Sequence, residues 1–278
     1  MKTIIIILSG IAVFLYGCGD TLNNNNSTGS PVTYNEIQTI NLPDNYTIKL
    51  YVTGYDSLTY AYNKVYLKVF LGSTAQNTGY IKVYPQMRMT PHITHSTPVS
   101  DSFMYNASSG YFEGFMIFNM PTSPPDLVWK ARFTYFDASG TSHEEDSIPL
   151  YTSLHPEKQL KYFYDLADTM YYTLTLVSPF APNAGVNDLA VMMHSSDVYQ
   201  QSFTQITTAQ MYISVYKADS LYQTQSNTHP VIGSGGIYFG RVNTPHKGTW
   251  IVSDTIYYNG RYITNNPPPL PQFNFIIE

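Results

Sequence analysis

The chain has 278 residues, a formal net charge of −5 at pH 7 and one cysteine. Charged residues make up 12% of it, and no basic stripe is present that could hold a phosphate backbone, so the composition argues against nucleic-acid binding. The 26 Tyr and 14 Phe favour half-buried β-strands, and the length allows about two domains.

The N-terminus has the features of a cleaved targeting segment. Lys2 is followed by an apolar run over residues 4–14, which is too short to span a bilayer comfortably and indicates a signal peptide. The next residues, Leu15-Tyr16-Gly17-Cys18, resemble a bacterial lipobox. That resemblance implies lipid on Cys18 and a bacterial cell-envelope protein held to a membrane, facing the periplasm or the cell surface. An ordinary signal peptide cut nearby is the alternative.

A lipidated Cys18 would leave the mature chain without a free thiol. Disulfides, thiolate metal sites and cysteine catalysis would then be excluded. The sequence also lacks a Gly-x-Ser-x-Gly elbow, a His-Glu-x-x-His motif and a phosphate-binding glycine loop. We therefore expect a protein that is not an enzyme.

Strand-like alternation recurs through the rest of the chain. Polar and apolar residues alternate over 47–52, 64–69, 80–83 and 129–133, with Pro, Gly, Asn and Asp between the runs. This pattern is typical of an antiparallel β-sandwich. The final residues, 273–277, are predicted to add an edge strand.

The second half of the chain repeats the first weakly but in order. Residues 61–65 match 185–189, and Trp129 matches Trp250. We predict an all-β protein with two tandem immunoglobulin-like antiparallel β-sandwich domains. The predicted boundaries are a signal peptide (1–17), a polar tether (18–35), a first sandwich (36–152), a linker (153–169) and a second sandwich with a Pro-rich C-terminal tail (170–278).

One segment of the first module carries residues suited to metal binding. Met87 and Met89 are two residues apart and share one face of a strand. His92 and His95 follow in a predicted loop that Pro91 and Pro98 restrict. Thioethers and imidazoles without thiolate or carboxylate suit copper, copper(I) in particular, whereas zinc more often recruits a thiolate or carboxylate.

This segment resembles the YtkA-like and FixH-like domains, which are small periplasmic sandwich modules associated with copper handling. The resemblance is carried by Met87 and Met89 and by three further motifs: His95-Ser96-Thr97-Pro98, Gly110-Tyr111-Phe112-Glu113-Gly114 and Trp129. It implies copper bound by Met87, Met89, His92 and His95, and a copper-handling protein as a possible partner.

The second module is a degenerate copy at these positions. An ungapped alignment replaces the four donors by Asp219, Leu221, Thr224 and Asn227. We therefore expect a metal site in the first module alone. The run Met192-Met193-His194 is interpreted as a strand end followed by a turn rather than as ligands.

Two other interpretations stay open at this point: a purely structural role for these Met and His residues, and a different binding function. Strand methionines are usually core residues, and a loop histidine is usually a hydrogen-bonded surface residue. The alternative function is a surface lipoprotein that binds protein or glycan through Tyr-rich sandwich faces and takes no metal, since tyrosine offers flat contact area at low entropic cost.

Overall fold

The computed structural model describes residues 32–91, 93–220, 222–264 and 270–278, which form two antiparallel β-sandwiches in tandem. Cys18, the lipobox and His92 lie outside these ranges. Within them, no helix is long and apolar enough to cross a membrane.

Twelve strands lie in the described residues of the first half of the chain. They are β1 (Tyr34–Asn41), β2 (Tyr46–Thr53), β3 (Leu58–Thr59), β4 (Ala61–Leu71), β5 (Thr74–Gln76), β6 (Tyr80–Thr90), β7 (Ile93–Ser96), β8 (Phe103–Asn106), β9 (Tyr111–Phe118), β10 (Trp129–Phe136), β11 (Ser142–Leu150) and β12 (Thr152–Ser153).

Ten strands and one 3-10 turn follow in the part of the second half that the structure describes. They are β13 (Leu160–Asp165), β14 (Met170–Ser178), β15 (Gly185–Ser196), β16 (Phe203–Gln205), β17 (Gln210–Lys217), β18 (Thr228–Ile232), the 3-10 turn Ser234–Gly236, β19 (Tyr238–Thr244), β20 (Gly248–Tyr258), β21 (Arg261–Tyr262) and β22 (Gln272–Ile277).

The strand order confirms the immunoglobulin-like prediction. In the first sandwich, β2-β4-β9-β8 form one layer and β6-β10-β11 form the other, and the pairing of β8 with β6 joins the two layers at one edge. This is the ABED and CFG arrangement of a constant-type immunoglobulin domain. The alternating strands β2, β4 and β6 bury one face, and those faces form the core between the layers.

The second sandwich repeats this order. Strands β14-β15-β19-β18 form one layer and β17-β20-β22 the other. An added strand pairs with the first strand of each sandwich, β1 with β2 and β13 with β14. The segment predicted as a linker, residues 153–169, therefore contains a strand of the second sandwich.

The two tryptophans lie on corresponding strands and are fully buried. Trp129 lies on β10 between Met87 and Leu150, and its indole Nε1 donates to the carbonyl of Met120 at 3.0 Å. Trp250 lies on β20 beside Lys217, and its Nε1 donates to the carbonyl of His246 at 2.7 Å. Each indole thus fills the core and satisfies its one donor.

The two sandwiches pack directly against each other along a contact that we call the seam. Its centre is a buried cluster of Tyr62, Ile117, Val177, Ala190 and Met192, which joins outer faces of β4 and β9 to those of β14 and β15. Burying a side chain such as Ile117, Val177 or Met192 contributes roughly 1.5–3 kcal/mol. The seam therefore holds the sandwiches together as a third apolar core.

A buried lysine fixes the edge of the seam. The Lys158 Nζ donates to the carbonyl of Tyr62 at 2.9 Å and lies 3.7 Å from the ring centre of Phe180 and 4.7 Å from that of Tyr55. Burial lowers the pKa of Lys158 to about 7. Its carbonyl and aromatic contacts are those that stabilise the charged form where solvent cannot.

Candidate functional site

The predicted methionines lie where strand geometry places them, on the inner face of β6. Met87 is fully buried in the core, and Met89 is half-buried and packs against the same core cluster. Both belong to the inward-facing alternation of β6. The methionine pair thus shares a face as predicted, with Met89 nearer to solvent.

His95 lies in a strand rather than in the predicted loop. It belongs to β7, which turns back onto β6 and places His95 directly opposite Met87. Directly opposed residues of an antiparallel pair project to the same face, so His95 and Met87 lie side by side. His95 is 7% exposed, which differs from the solvent-exposed position that a loop would give.

The hydrogen bonds of His95 leave one ring nitrogen free. Nδ1 lies 3.2 Å from the carbonyl oxygen of Ser96, so we assign the ring proton to Nδ1, which donates to that carbonyl. Nε2 is buried and has no partner among the described residues. Burial lowers the pKa of His95, which favours the neutral imidazole that metals bind.

Trp129 and Asn119 complete the walls around this imidazole. The rings of His95 and Trp129 meet edge to face with centres 5.1 Å apart. The Asn119 amide nitrogen lies 3.5 Å from His95 Nδ1 and 3.4 Å from the Ser96 carbonyl. The Asn119 Oδ1 is also buried without a partner in the described part of the chain. Two unsatisfied polar atoms in one place are costly unless something else binds there.

The second sandwich covers this region with the turn that follows β15. Ser96 N donates to the carbonyl of Gln200 at 2.8 Å, and the Gln200 side chain reaches within 3.5 Å of Asn119. Tyr84 and Gln201 make a further contact at 3.4 Å. The candidate site is therefore closed by residues from both sandwiches.

The donor set suits a soft metal better than a hard one. Met87, Met89 and His95 supply two thioethers and one imidazole on one face, with His92 outside the described residues. No group of three or more His, Cys, Asp or Glu that could hold a metal occurs in the part of the chain that the structure describes. Because carboxylates are absent from the site, the residues present fit copper(I) better than zinc.

Sequence reasoning missed Asn119 and Gln200. Asn119 follows β9, and Gln200 lies in a turn of the other sandwich, far from Met87 in the chain. Neither belongs to a motif. The only signal is that Asn119 directly follows β9 and Gln200 lies in the turn between β15 and β16. Trp129 was noted as a repeat marker, whereas its contact with His95 was not foreseen.

The second sandwich has different chemistry at the corresponding place. Trp250 lies opposite Lys217, whereas Trp129 lies opposite Met87. Relative to the tryptophans, the ungapped alignment of Met87 with Asp219 is therefore shifted by two residues. Thr224 is buried and Asn227 bonds to it, so this part of the second sandwich is a polar turn without soft donors.

A tyrosine face covers the other end of the outer surface of the first sandwich. Four rings from β1, β2, β4 and β9 contact one another with centres 4.4–5.7 Å apart: Tyr34, Tyr51, Tyr66 and Tyr111. The Lys68 ammonium lies 4.4 Å from the centre of the Tyr111 ring. The first three tyrosines are half-buried, so each keeps part of its surface open to solvent.

A shallow recess of about 470 Å³ lies on the second sandwich. Its lining includes Asp188, His229, Phe239 and Arg241, and Arg241 forms an ion pair with Asp188 at 3.1 Å. Met87, Met89 and His95, the predicted donors that the structure describes, are not among its lining residues. The recess is therefore separate from the candidate metal site.

No family model matches the chain, and no curated protein matches it. Among solved structures, the chain is similar to a chimeric titin Z1Z2 carrying an exogenous KLER peptide from decorin, at 9% identity and a TM-score of 0.19, covering 89% of this chain and 96% of that one. It is also similar to the D0-D1 domain of intimin, at 8% identity and a TM-score of 0.21, covering 89% and 98% of the two chains.

Proposed function

We propose that this chain is a membrane-anchored extracytoplasmic lipoprotein, not an enzyme, that binds copper(I) through Met87, Met89, His92 and His95 for copper handling or delivery. The observation that carries the proposal is the buried, unpartnered Nε2 of His95 on the face that Met87 and Met89 share. A neutral imidazole with its lone pair directed away from hydrogen-bond donors is a metal ligand in the correct protonation state.

The packing around the site suits retention of a soft cation. Trp129 and Asn119 wall the imidazole, and the Gln200 turn covers it from the second sandwich. Exclusion of water lowers the competition between water and the protein donors for a bound ion. Met89 is the more exposed donor, so an ion could enter past it. Copper(I) would gain three or four donors here without the charge that carboxylates would add.

Anaerobic copper(I) titration against a chromogenic chelator tests the site. The double variant Met87→Leu, Met89→Leu keeps the apolar volume and removes both sulfurs, so we expect at least a tenfold loss of affinity at this site with little change in stability. His95→Gln should cause a similar loss. Met104→Leu is the matched control, because Met104 is exposed on β8. Unchanged affinity in the double variant and in His95→Gln would contradict the proposal.

The membrane anchor has its own test. Because lipid adds apolar chains to Cys18, the wild-type protein should enter the detergent phase on phase separation of envelope extracts. Cys18→Ala should move it to the aqueous phase or block its processing. Wild-type protein that stays aqueous and carries no added mass would overturn the anchor.

A second candidate function is glycan binding by the tyrosine face. Its rings are rigid and partly exposed, and Lys64, Lys68 and Glu113 beside them could bond to sugar hydroxyls. Calorimetric titration with soluble polysaccharides should show binding that Tyr51→Ala with Tyr66→Ala removes. Tyr262→Ala, at an exposed position of the second sandwich, should keep it. Absence of binding, or binding that the double variant keeps, would exclude this function.

A further inference from the structure

The seam contains a second set of soft and polar groups with no partners. His194 lies on β15, is 2% exposed, and has neither Nδ1 nor Nε2 hydrogen-bonded within the described residues. An imidazole always has one donor and one acceptor to satisfy, so leaving both unpaired in a buried place is unusual. Burial lowers the pKa of His194 to about 3, which keeps the ring neutral.

His194 and three neighbouring residues on β14 and β15 lie on one face of the sheet. Met192 is two residues away on β15, so it shares the face of His194. The ladder between β14 and β15 places Thr173 opposite His194 and Thr175 opposite Met192. We call these four residues the seam quartet.

Every member of the seam quartet is buried. Met192 and Thr175 have no exposed surface, and Thr173 is 1% exposed. The hydroxyls of Thr173 and Thr175 have no partner among the residues that the structure describes. The quartet thus presents one thioether, one imidazole and two hydroxyls, all neutral and all on one face.

Residues of the first sandwich cover the seam quartet. The ring of Phe115 lies 5.9 Å from the ring of His194, and Tyr62 and Ile117 belong to the same buried cluster as Met192. A divalent ion would be costly to bury among neutral donors, whereas a singly charged soft ion is less so. Zinc would also be expected to recruit a carboxylate or thiolate, and the quartet has neither.

We propose that Met192 and His194 form a second copper(I) site in the seam, with the hydroxyls of Thr173 and Thr175 beside it. This site would bind the same kind of metal ion as the proposed site of the first sandwich. The two sites have no residue in common. It revises the expectation that a metal site occurs in the first module alone. Because the ion would lie between the sandwiches, its binding would strengthen their contact.

Copper(I) stoichiometry by anaerobic titration tests this inference on the full chain. The wild type should bind two ions, and Met192→Leu, which keeps the packing, should bind one. His194→Gln should also bind one, and it serves as the second variant if either change alters the seam. His155→Gln is the control, since His155 is partly exposed and lies outside both sites.

The outcomes separate the two proposals. If the wild type binds one ion that Met87→Leu with Met89→Leu removes and Met192→Leu keeps, the seam site is wrong and the proposed function stands. If one ion is bound and only Met192→Leu removes it, the seam site stands and the first site is wrong. If no ion is bound, both are wrong, and the free atoms of the quartet are to be explained by buried water.

Discussion

At the scale of single residues, the least expected side chain in this fold is Asp254. It lies on β20 between Val252 and Ile256, on the inward face of the second sandwich, and has no exposed surface. Neither carboxylate oxygen has a hydrogen-bond partner in the described part of the chain. Burial without a partner raises the pKa of Asp254 from its ordinary 3.8 to about 8.

This carboxyl should make the stability of the protein depend on pH. Between about pH 4 and pH 8 the folded chain keeps a proton on Asp254 that the unfolded chain has released. The contribution of Asp254 to stability should therefore fall as pH rises, by up to about 1.4 kcal/mol per pH unit. Asp254→Val should remove this slope and stabilise the protein at pH 8. Urea unfolding at pH 5 and pH 8 measures it, with the exposed Asp56→Val as control. Equal pH slopes in the wild type and Asp254→Val would contradict the assignment.

At the scale of strands, much of the structure follows from local sequence. The alternating runs at 47–52, 64–69 and 129–133 all lie in strands, and the predicted final strand is β22. Alternation identifies a strand when one face is buried and the other is wet. It fails on β15, where both faces are buried over Leu189–His194, so no alternation remains and the turn predicted at His194 was wrong.

The sites were less predictable than the strands, because their partners are distant in sequence. The shared face of Met87 and Met89 follows from a two-residue spacing. The place of His95 opposite Met87 depends on β7 pairing back onto β6, and Pro91 and Pro98 suggested a loop instead. Contacts with Asn119 and Gln200, and the covering of His194 by Phe115, depend on how two domains dock, which no local pattern encodes.

The side chain of Gln159 bonds to the backbone of β22 as a neighbouring strand would. The Gln159 amide donates from Nε2 to the carbonyl of Asn274 at 2.6 Å, and its Oε1 accepts from the Asn274 N at 2.9 Å. The backbone of β22 is otherwise paired on one side, to β20. Gln159 therefore supplies two hydrogen bonds at an open edge of the sheet.

Gln159→Ala should loosen β22. Loss of both bonds should cost about 1–3 kcal/mol and speed amide exchange over Phe273–Ile277, while β6 stays protected. Gln159→Glu keeps the acceptor and loses the donor, so its effect should be intermediate at Asn274. Hydrogen exchange by mass spectrometry measures both. Exchange over β22 that stays at the wild-type rate in Gln159→Ala would show that the amide is not holding the strand.

At the scale of the whole molecule, the seam should make the protein sensitive to acid. The pKa of His194 falls from its ordinary 6.5 to about 3 because the ring is buried, and burial also lowers that of His95. Below pH 6.5, His194 takes up a proton in the unfolded chain, whereas in the folded chain it stays neutral until the pH approaches 3. The contribution of His194 to stability is therefore full above pH 6.5 and falls by up to about 1.4 kcal/mol per pH unit as pH drops towards 3. Above about pH 4 the contribution of Asp254 changes in the opposite direction.

His194→Leu should flatten this acid dependence in metal-free protein. Fluorescence-monitored unfolding between pH 7 and pH 4 should show that the free energy of unfolding of the wild type falls relative to that of His194→Leu as the pH drops. The control is His155→Leu, at a partly exposed histidine outside the seam, which should behave like the wild type. A wild-type slope in His194→Leu would mean that the ring is not buried in its neutral form.

The connection between the sandwiches also bears on how the molecule would carry tension. Residues 154–159 leave β12 and enter β13, and within them Lys158 is fixed on Tyr62 and Gln159 on β22. A flexible linker lengthens under load like an entropic spring. Here the short connection is hydrogen-bonded to both sandwiches, so it is not free to extend as a flexible linker would. A pull between the two sandwiches would have to break the bonds of Lys158 and Gln159 and separate the seam before this connection could lengthen.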